Sequence, residues 1–199
     1  MNKKLKVCIA GASGFVGQEL IKLLVKHPYV EIIHLFVNNL GSQNTDLVKK
    51  HKLPDFRKID VKLINECDVL FSAMPHTHSQ NIIKSVNENL VIFDLSADFR
   101  LSNAETYESW YKAKHESKKL LKKAVYGLSE IFKDKIKKSN LIACPGCYPT
   151  SVLLPLIPLL KDNLINTNEI IIDSKSGYSG AGKKTLDSKL YPQIEKNIA

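Results

Sequence analysis

Along the first 150 residues, short apolar runs alternate with longer amphipathic stretches. Leu5 to Ala10 is such a run, of a length that suits a buried parallel strand, and Gly11 to Gly17 then interrupts it. After the glycines, Val16, Leu20, Leu23 and Leu24 recur at i, i+4, i+7 and i+8, one face of a helix that His27 and Pro28 end. Glu31 to Val37 reads as the second strand of a βαβ unit with a right-handed crossover. Asp68 to Met74 and Leu90 to Phe93 predict two more strands, with a helix over Ser79 to Asn87 between them. The polar, lysine-rich stretch Ala104 to Val125 predicts a helix, Tyr126 to Glu130 a turn, and Leu141 to Ala143 a last short strand. This alternation predicts an α/β fold with a doubly wound, Rossmann-type parallel sheet.

Beyond Cys147 the pattern changes. Tyr148 to Leu160 predicts a helix with Pro149 in its first turn, which Pro155 and Pro158 should kink or end. Glu169 to Asp173 reads as a strand leading into the glycine-rich segment Ser176 to Lys184. The expected division is a dinucleotide-binding domain over 1–146 and the beginning of an α+β substrate and dimerisation domain over 147–199, too short to be complete.

Composition narrows the class. In 199 residues, 44% apolar and 25% charged side chains with Gly 9 and Pro 8 exclude a collagen-like, low-complexity or mainly disordered chain. The net charge of +9 raises nucleic acid as a partner, but of 29 basic residues only Arg57 and Arg100 are arginine. The densest lysine run, Lys118, Lys119, Lys122 and Lys123, has no interleaved aromatic platform, so no nucleic-acid partner is expected. A positive field also attracts small phosphorylated anions. The longest apolar stretch, Ser151 to Leu160, contains two prolines and is shorter than the ~20 residues that span a bilayer. No membrane association and a cytoplasmic location are expected, with the four cysteines as thiols.

Three motifs carry candidate chemistry. Gly11-Ala-Ser-Gly-Phe-Val-Gly17 follows a strand and opens a helix, where free N–H groups can hold a pyrophosphate. Asn38 and Asn39 stand after the second strand, where an NAD site usually has an acid; a neutral site leaves room for a 2′-phosphate and favours NADP, although no arginine is expected nearby to bind it. Ser13 and Ser42 could donate to phosphate oxygens. Cys144-Pro-Gly-Cys147 puts Cys147 at a helix start, where the helix dipole favours thiolate, making it a candidate nucleophile. The same C-x-x-C spacing fits a redox disulfide or half a zinc site, but a second ligand pair at zinc-finger spacing is missing. In Ser176 to Lys184, Gly177 and Gly182 have P-loop spacing, yet Lys184 stands where magnesium needs Ser or Thr; the segment reads as an anion cradle with Lys183 beside it. His27, His34, His51, His76, His78 and His115 form no convincing ligand set, and no metal site is expected.

Taken together, Gly11 to Gly17, Asp94-Leu-Ser-Ala-Asp-Phe-Arg100, Tyr126-Gly-Leu-Ser-Glu130, Pro145-Gly-Cys-Tyr-Pro-Thr150 and Ser179-Gly-Ala-Gly182 resemble the N-acetyl-γ-glutamyl-phosphate reductase family, within the semialdehyde dehydrogenases. The resemblance runs from about Lys6 to Lys184. It implies NADPH-dependent reduction of N-acetylglutamyl 5-phosphate to the semialdehyde, with release of phosphate, in arginine biosynthesis. It places the family's nucleophilic cysteine on Cys147, which would form a thioester. Cofactor contacts are implied for Gly11, Ser13, Gly14, Phe15, Val16, Gly17, Ser42, Ser179 and Gly180, and substrate contacts for Arg100 and Lys183. For Arg100 a structural pair with Asp94 or Asp98 is an equal expectation. A homo-oligomer is implied for the full-length form. Cys144, Ser129 and Lys183 depart from the asparagine, proline and arginine that the family resemblance leads one to expect. The family also continues past residue 199, through a general-base histidine. The chain as written is therefore expected to bind NADP(H) and to be acylated at Cys147 while turning over poorly. A reductase of aminoadipyl or aspartyl phosphate, and a non-catalytic NADP-binding fragment, are the competing expectations.

Overall fold

A computed structural model of the chain describes residues 3–41 and 45–181. The first βαβ unit consists of β1 (Leu5–Ala10), α1 (Phe15–Leu24) and β2 (Val30–Val37). Next come α2 (Asp46–Lys50), β3 (Phe56–Lys58), α3 (Val61–Ile64) and β4 (Val69–Ser72). Then follow α4 (Ser79–Ile83), β5 (Val91–Asp94), α5 (Ala104–Tyr111) and α6 (Lys118–Lys123). The remaining elements are β6 (Val125–Tyr126), α7 (Ser129–Ile136), β7 (Leu141–Ala143), α8 (Cys147–Lys161) and a 3-10 turn at Tyr178–Ala181. All strand pairs are parallel, in the order β3-β2-β1-β4-β5-β7-β6.

The strand order explains the apolar runs. β1 lies inside the sheet, and its alternating residues enter two different clusters: Val7 and Ile9 pack with Leu35 and Val69, whereas Cys8 and Ala10 pack with Phe36 and Leu70. A parallel strand covered on both faces has no polar side to show, so the period-2 signal disappears. From β1 the chain winds outward to β2 and β3, then returns to β4 on the other side. The switch point is therefore the crevice at the C-terminal ends of β1 and β4, where open α/β sheets bind their ligands.

Several expectations change. The helix expected over Ala104 to Val125 is two helices: Lys112 caps α5 in the left-handed region (φ 53°), and the turn that follows is anchored by buried His115. Val125 and Tyr126 form β6 rather than the end of a helix, and the turn expected at Tyr126 to Glu130 runs into α7. The helix expected over Ser79 to Asn87 stops at Ile83. Pro155 and Pro158 do not end α8, which continues to Lys161. Both prolines are exposed, so the carbonyls of Ser151 and Leu154 that lose a partner can turn to water. The strand expected over Glu169 to Asp173 is irregular, and Ile171 is 96% exposed; a strand requires a neighbour, and no described strand pairs with it. The described chain divides into two compact units, one up to Leu154 and one from Pro155 onward. No described helix is long and apolar enough to cross a membrane.

Candidate active site

At the end of β1, Gly11 takes φ +83°, and its N–H donates to the Phe36 carbonyl (2.9 Å). A side chain there would collide with the Ala73 carbonyl at the end of β4. Gly17 lets α1 lie directly on the turn, since a Cβ would strike Gly11 O and the Ala12 backbone. The two glycines thus bring the start of α1 to the switch point. No side chain caps α1, and its first bond runs from Gln18 N to Gly14 O (2.9 Å). The N–H groups of Phe15, Val16 and Gly17 therefore lack a backbone acceptor at the helix's positive end, with Ser13 half-buried beside them. These residues fit an anionic dinucleotide.

Two buried carboxylates fix the loops that follow β4 and β5. Asp94, at the end of β5, accepts from the Ser79 hydroxyl (2.5 Å), the Ser96 hydroxyl (2.8 Å) and the Ser96 N–H (3.2 Å). Burial pushes its carboxyl above the usual range, while the Ser79 and Ser96 hydrogen bonds pull it back. Asp98 accepts from Thr77 N–H (2.6 Å), Gln80 N–H (3.0 Å) and the Tyr107 hydroxyl (2.8 Å). Thr77 is held at φ +70°, a backbone conformation rare for a β-branched residue. The Ser117 N–H donates to His115 Nδ1 (3.1 Å), so Nε2 carries the hydrogen and donates to the Asp98 carbonyl (2.9 Å). Burial holds His115 below its ordinary value.

Asp94 and Asp98 are thereby engaged with hydroxyls and N–H groups, and neither pairs with Arg100. Instead Arg100 donates from Nε to the Cys144 carbonyl (2.8 Å) and from Nη2 to the Leu95 carbonyl (2.9 Å). Its guanidinium lies against Gly146, where a Cβ would stand 3.1 Å from Nη1. Arg100 is thus a brace between the β5 loop and the β7 loop that leads into Cys147.

The two cysteines of the C-x-x-C differ. Cys147 is the first residue of α8 and exposed. The helix start is pinned by Thr150, whose N–H (3.0 Å) and hydroxyl (2.8 Å) both donate to the Gly146 carbonyl. Cys144 is half-buried; burial pushes its thiol up to about 11, with the Asp94 charge adding and Arg100 opposing. Both are free thiols.

The structure thus brings Gly11 to Gly17, Arg100 and Cys147 to the same end of one parallel sheet. Ser179 and Gly180 lie exposed in the 3-10 turn of the other compact unit. Ser42 and Lys183 fall outside the described residues. Sequence distance concealed one feature: β3 pairs Phe36 with Arg57 and Val37 with Lys58, setting two cations beside the end of β2 and Asn38. The absence of an arginine near that site, expected from the sequence, is therefore corrected by the fold.

A family model described as the semialdehyde dehydrogenase NAD binding domain matches residues 6–139, and one described as the semialdehyde dehydrogenase dimerisation domain matches residues 147–199. A protein of Arabidopsis thaliana named as a probable chloroplastic N-acetyl-gamma-glutamyl-phosphate reductase is 42% identical over 99% of this chain and 50% of its own length. An N-acetyl-gamma-glutamyl-phosphate reductase of Campylobacter jejuni is 45% identical over 98% of this chain and 58% of its own. The chain spans about half the length of these relatives. Among solved structures, aspartate semialdehyde dehydrogenase from Francisella tularensis shares the fold, with a TM-score of 0.63, 16% identity, and coverage of 96% of this chain and 49% of its own.

Proposed function

The chain belongs to the semialdehyde dehydrogenase family, and from that premise we propose that it is the part of an N-acetyl-γ-glutamyl-phosphate reductase that carries the cofactor turn and the nucleophile. The reaction is reduction of N-acetylglutamyl 5-phosphate to N-acetylglutamate 5-semialdehyde with release of phosphate. One observation carries it: Cys147, the exposed thiol among the four cysteines, opens α8 at the sheet end that also holds the Gly11 to Gly17 turn.

The Cys147 thiolate attacks the acyl carbon, and the bond to phosphate breaks with its electron pair leaving on phosphate. NADPH, when bound, supplies the hydride that reduces the resulting thioester. The thiohemiacetal left on Cys147 then breaks its carbon–sulfur bond, giving the aldehyde and restoring the thiol. Gly11, Ser13, Gly14, Phe15, Val16 and Gly17 hold the cofactor phosphates; for Ser42, Ser179, Gly180 and Lys183 the support is the motif resemblance alone, and Arg100, whose Nε and Nη2 are held by the Cys144 and Leu95 carbonyls, has Nη1 to offer substrate. Support for NADP over NAD comes from Asn38 in place of an acid and from Arg57 and Lys58 on β3. The division into 1–146 and 147–199 is supported by the two family matches, and a homo-oligomer of the whole protein by the dimerisation match. A cytoplasmic location suits four free thiols.

The test runs the reaction backwards: N-acetylglutamate 5-semialdehyde, inorganic phosphate and NADP+ are mixed with stoichiometric chain, and NADPH absorbance is followed. A first-turnover burst of NADPH is expected, followed by release of acyl phosphate that requires inorganic phosphate; Cys147→Ser should abolish both with NADPH binding retained. An unchanged rate in Cys147→Ser, or a faster reaction with aspartate semialdehyde, overturns the assignment.

A further inference from the structure

At the opposite end of the sheet from Cys147, the starts of β5 and β7 open into a cavity of about 1020 Å³. Its size reaches the upper end of the range for small-molecule sites, about 300 to 1,000 Å³. Lys84, Lys114, Lys118, Lys119, Lys123 and Lys138 line it, drawn from the end of α4, the stretch through α6 and the end of α7. Only two acids, Glu88 and Glu116, share the lining. Lys118 pairs with Glu108 at 3.4 Å, and Lys114 also acts on Glu108 through space; among the described residues the other five lysines have no carboxylate within salt-bridge distance. Cations gathered around a concave, low-dielectric wall focus a positive potential into it.

The floor is aliphatic. Val86, Leu90, Leu120 and Leu141 contribute to it, and the only ring is His115, with both nitrogens already hydrogen-bonded. A base or other aromatic body finds no stacking platform here, whereas a saturated chain finds a surface of its own kind. Lysine stems can cover such a chain while their ammonium groups meet an anionic head.

We propose that this cavity binds an aliphatic anion, a saturated chain ending in phosphate or carboxylate, with the chain on the Val86–Leu141 floor and the head among Lys84, Lys119 and Lys123. The site is separate from the proposed cofactor and substrate site, and its chemistry does not depend on that assignment.

Octyl phosphate and octanoate are titrated separately into the full chain below their micelle concentrations, followed by calorimetry and backbone amide shifts. Saturable binding of at least one is expected, the stronger of the two identifying the head group. Octanol and inorganic phosphate, which each lack one half of the ligand, should bind at least about tenfold more weakly. Shifts should centre on residues 84–90 and 114–123. Lys119→Glu with Lys123→Glu, both exposed, should weaken binding about tenfold or more, Lys119→Gln with Lys123→Gln less, and Lys49→Glu with Lys50→Glu on α2 not at all. The proposal is overturned if neither anion binds the folded chain, if the shifts centre on Gly11 to Gly17, or if the Lys119 and Lys123 changes leave affinity unaltered.

Discussion

Single positions decide which thiol can react and which backbone is strained. Cys8 and Cys67 lie in the core, and Cys144, pushed up to about 11, stays protonated near neutrality. Iodoacetamide at pH 7.5 is expected to modify Cys147 first, as read by peptide mass spectrometry; earlier labelling of Cys144 would contradict the placement of both side chains. Thr77 is the second case. Its φ of +70° persists because Asp98 grips its N–H. Glycine there relieves a cost of roughly 1–2 kcal/mol and loses part of it to unfolded-chain entropy, so Thr77→Gly should raise stability by about 0.5–1 kcal/mol in urea denaturation. The sequence made Cys147 legible because helix start and thiol coincide in it. Thr77 was opaque, since nothing in its neighbours announces a left-handed residue.

At the scale of elements, the interior strands were plain and the edges were not. β1, β2, β4 and β5 are apolar because neighbours cover both faces, whereas β3 reads Phe-Arg-Lys and β6 has two residues, too short and too polar to give a pattern. The expected lysine-rich helix missed its own break because the residue that anchors it, His115, is recognised only by its contacts with Asp98 and Ser117. What β3 hid has a consequence for cofactor choice. Parallel pairing places Arg57 and Lys58 level with the last residues of β2, where the ribose end of a dinucleotide is read. Arg57→Glu with Lys58→Glu is expected to weaken NADPH binding about tenfold or more while changing NADH binding little, measured by fluorescence titration. An equal loss for both cofactors would detach these cations from the 2′-phosphate.

Across the whole molecule, a buried hydrogen-bond system ties the loops after β4 and β5 to the turn between α5 and α6. Its pH response follows from His115. Burial lowers this histidine in the folded chain, so below its ordinary value of 6.5 the unfolded chain takes up a proton that the native chain refuses. His115 therefore supports the fold above that pH, and the support drains away as pH falls toward its lower folded value. His115→Gln should flatten the fall in unfolding free energy between about pH 7 and 5 relative to the parent chain, seen in urea titrations at each pH. A steeper fall in the variant would reverse the sign and the account of the burial with it.

Chain order and spatial order part company at β7. β6 is synthesised before β7 yet lies outside it, so β6 gains its only partner strand among the described residues when β7 has taken the place beside β5. The strands before it can pair as they emerge, in the order in which they are made. The strand that delivers Cys147 is the one whose arrival closes the sheet. If the sheet forms in that order, the glycine turn proposed to hold the cofactor is in place before the thiol proposed as nucleophile, and a half-assembled chain would leave Cys147 unpositioned.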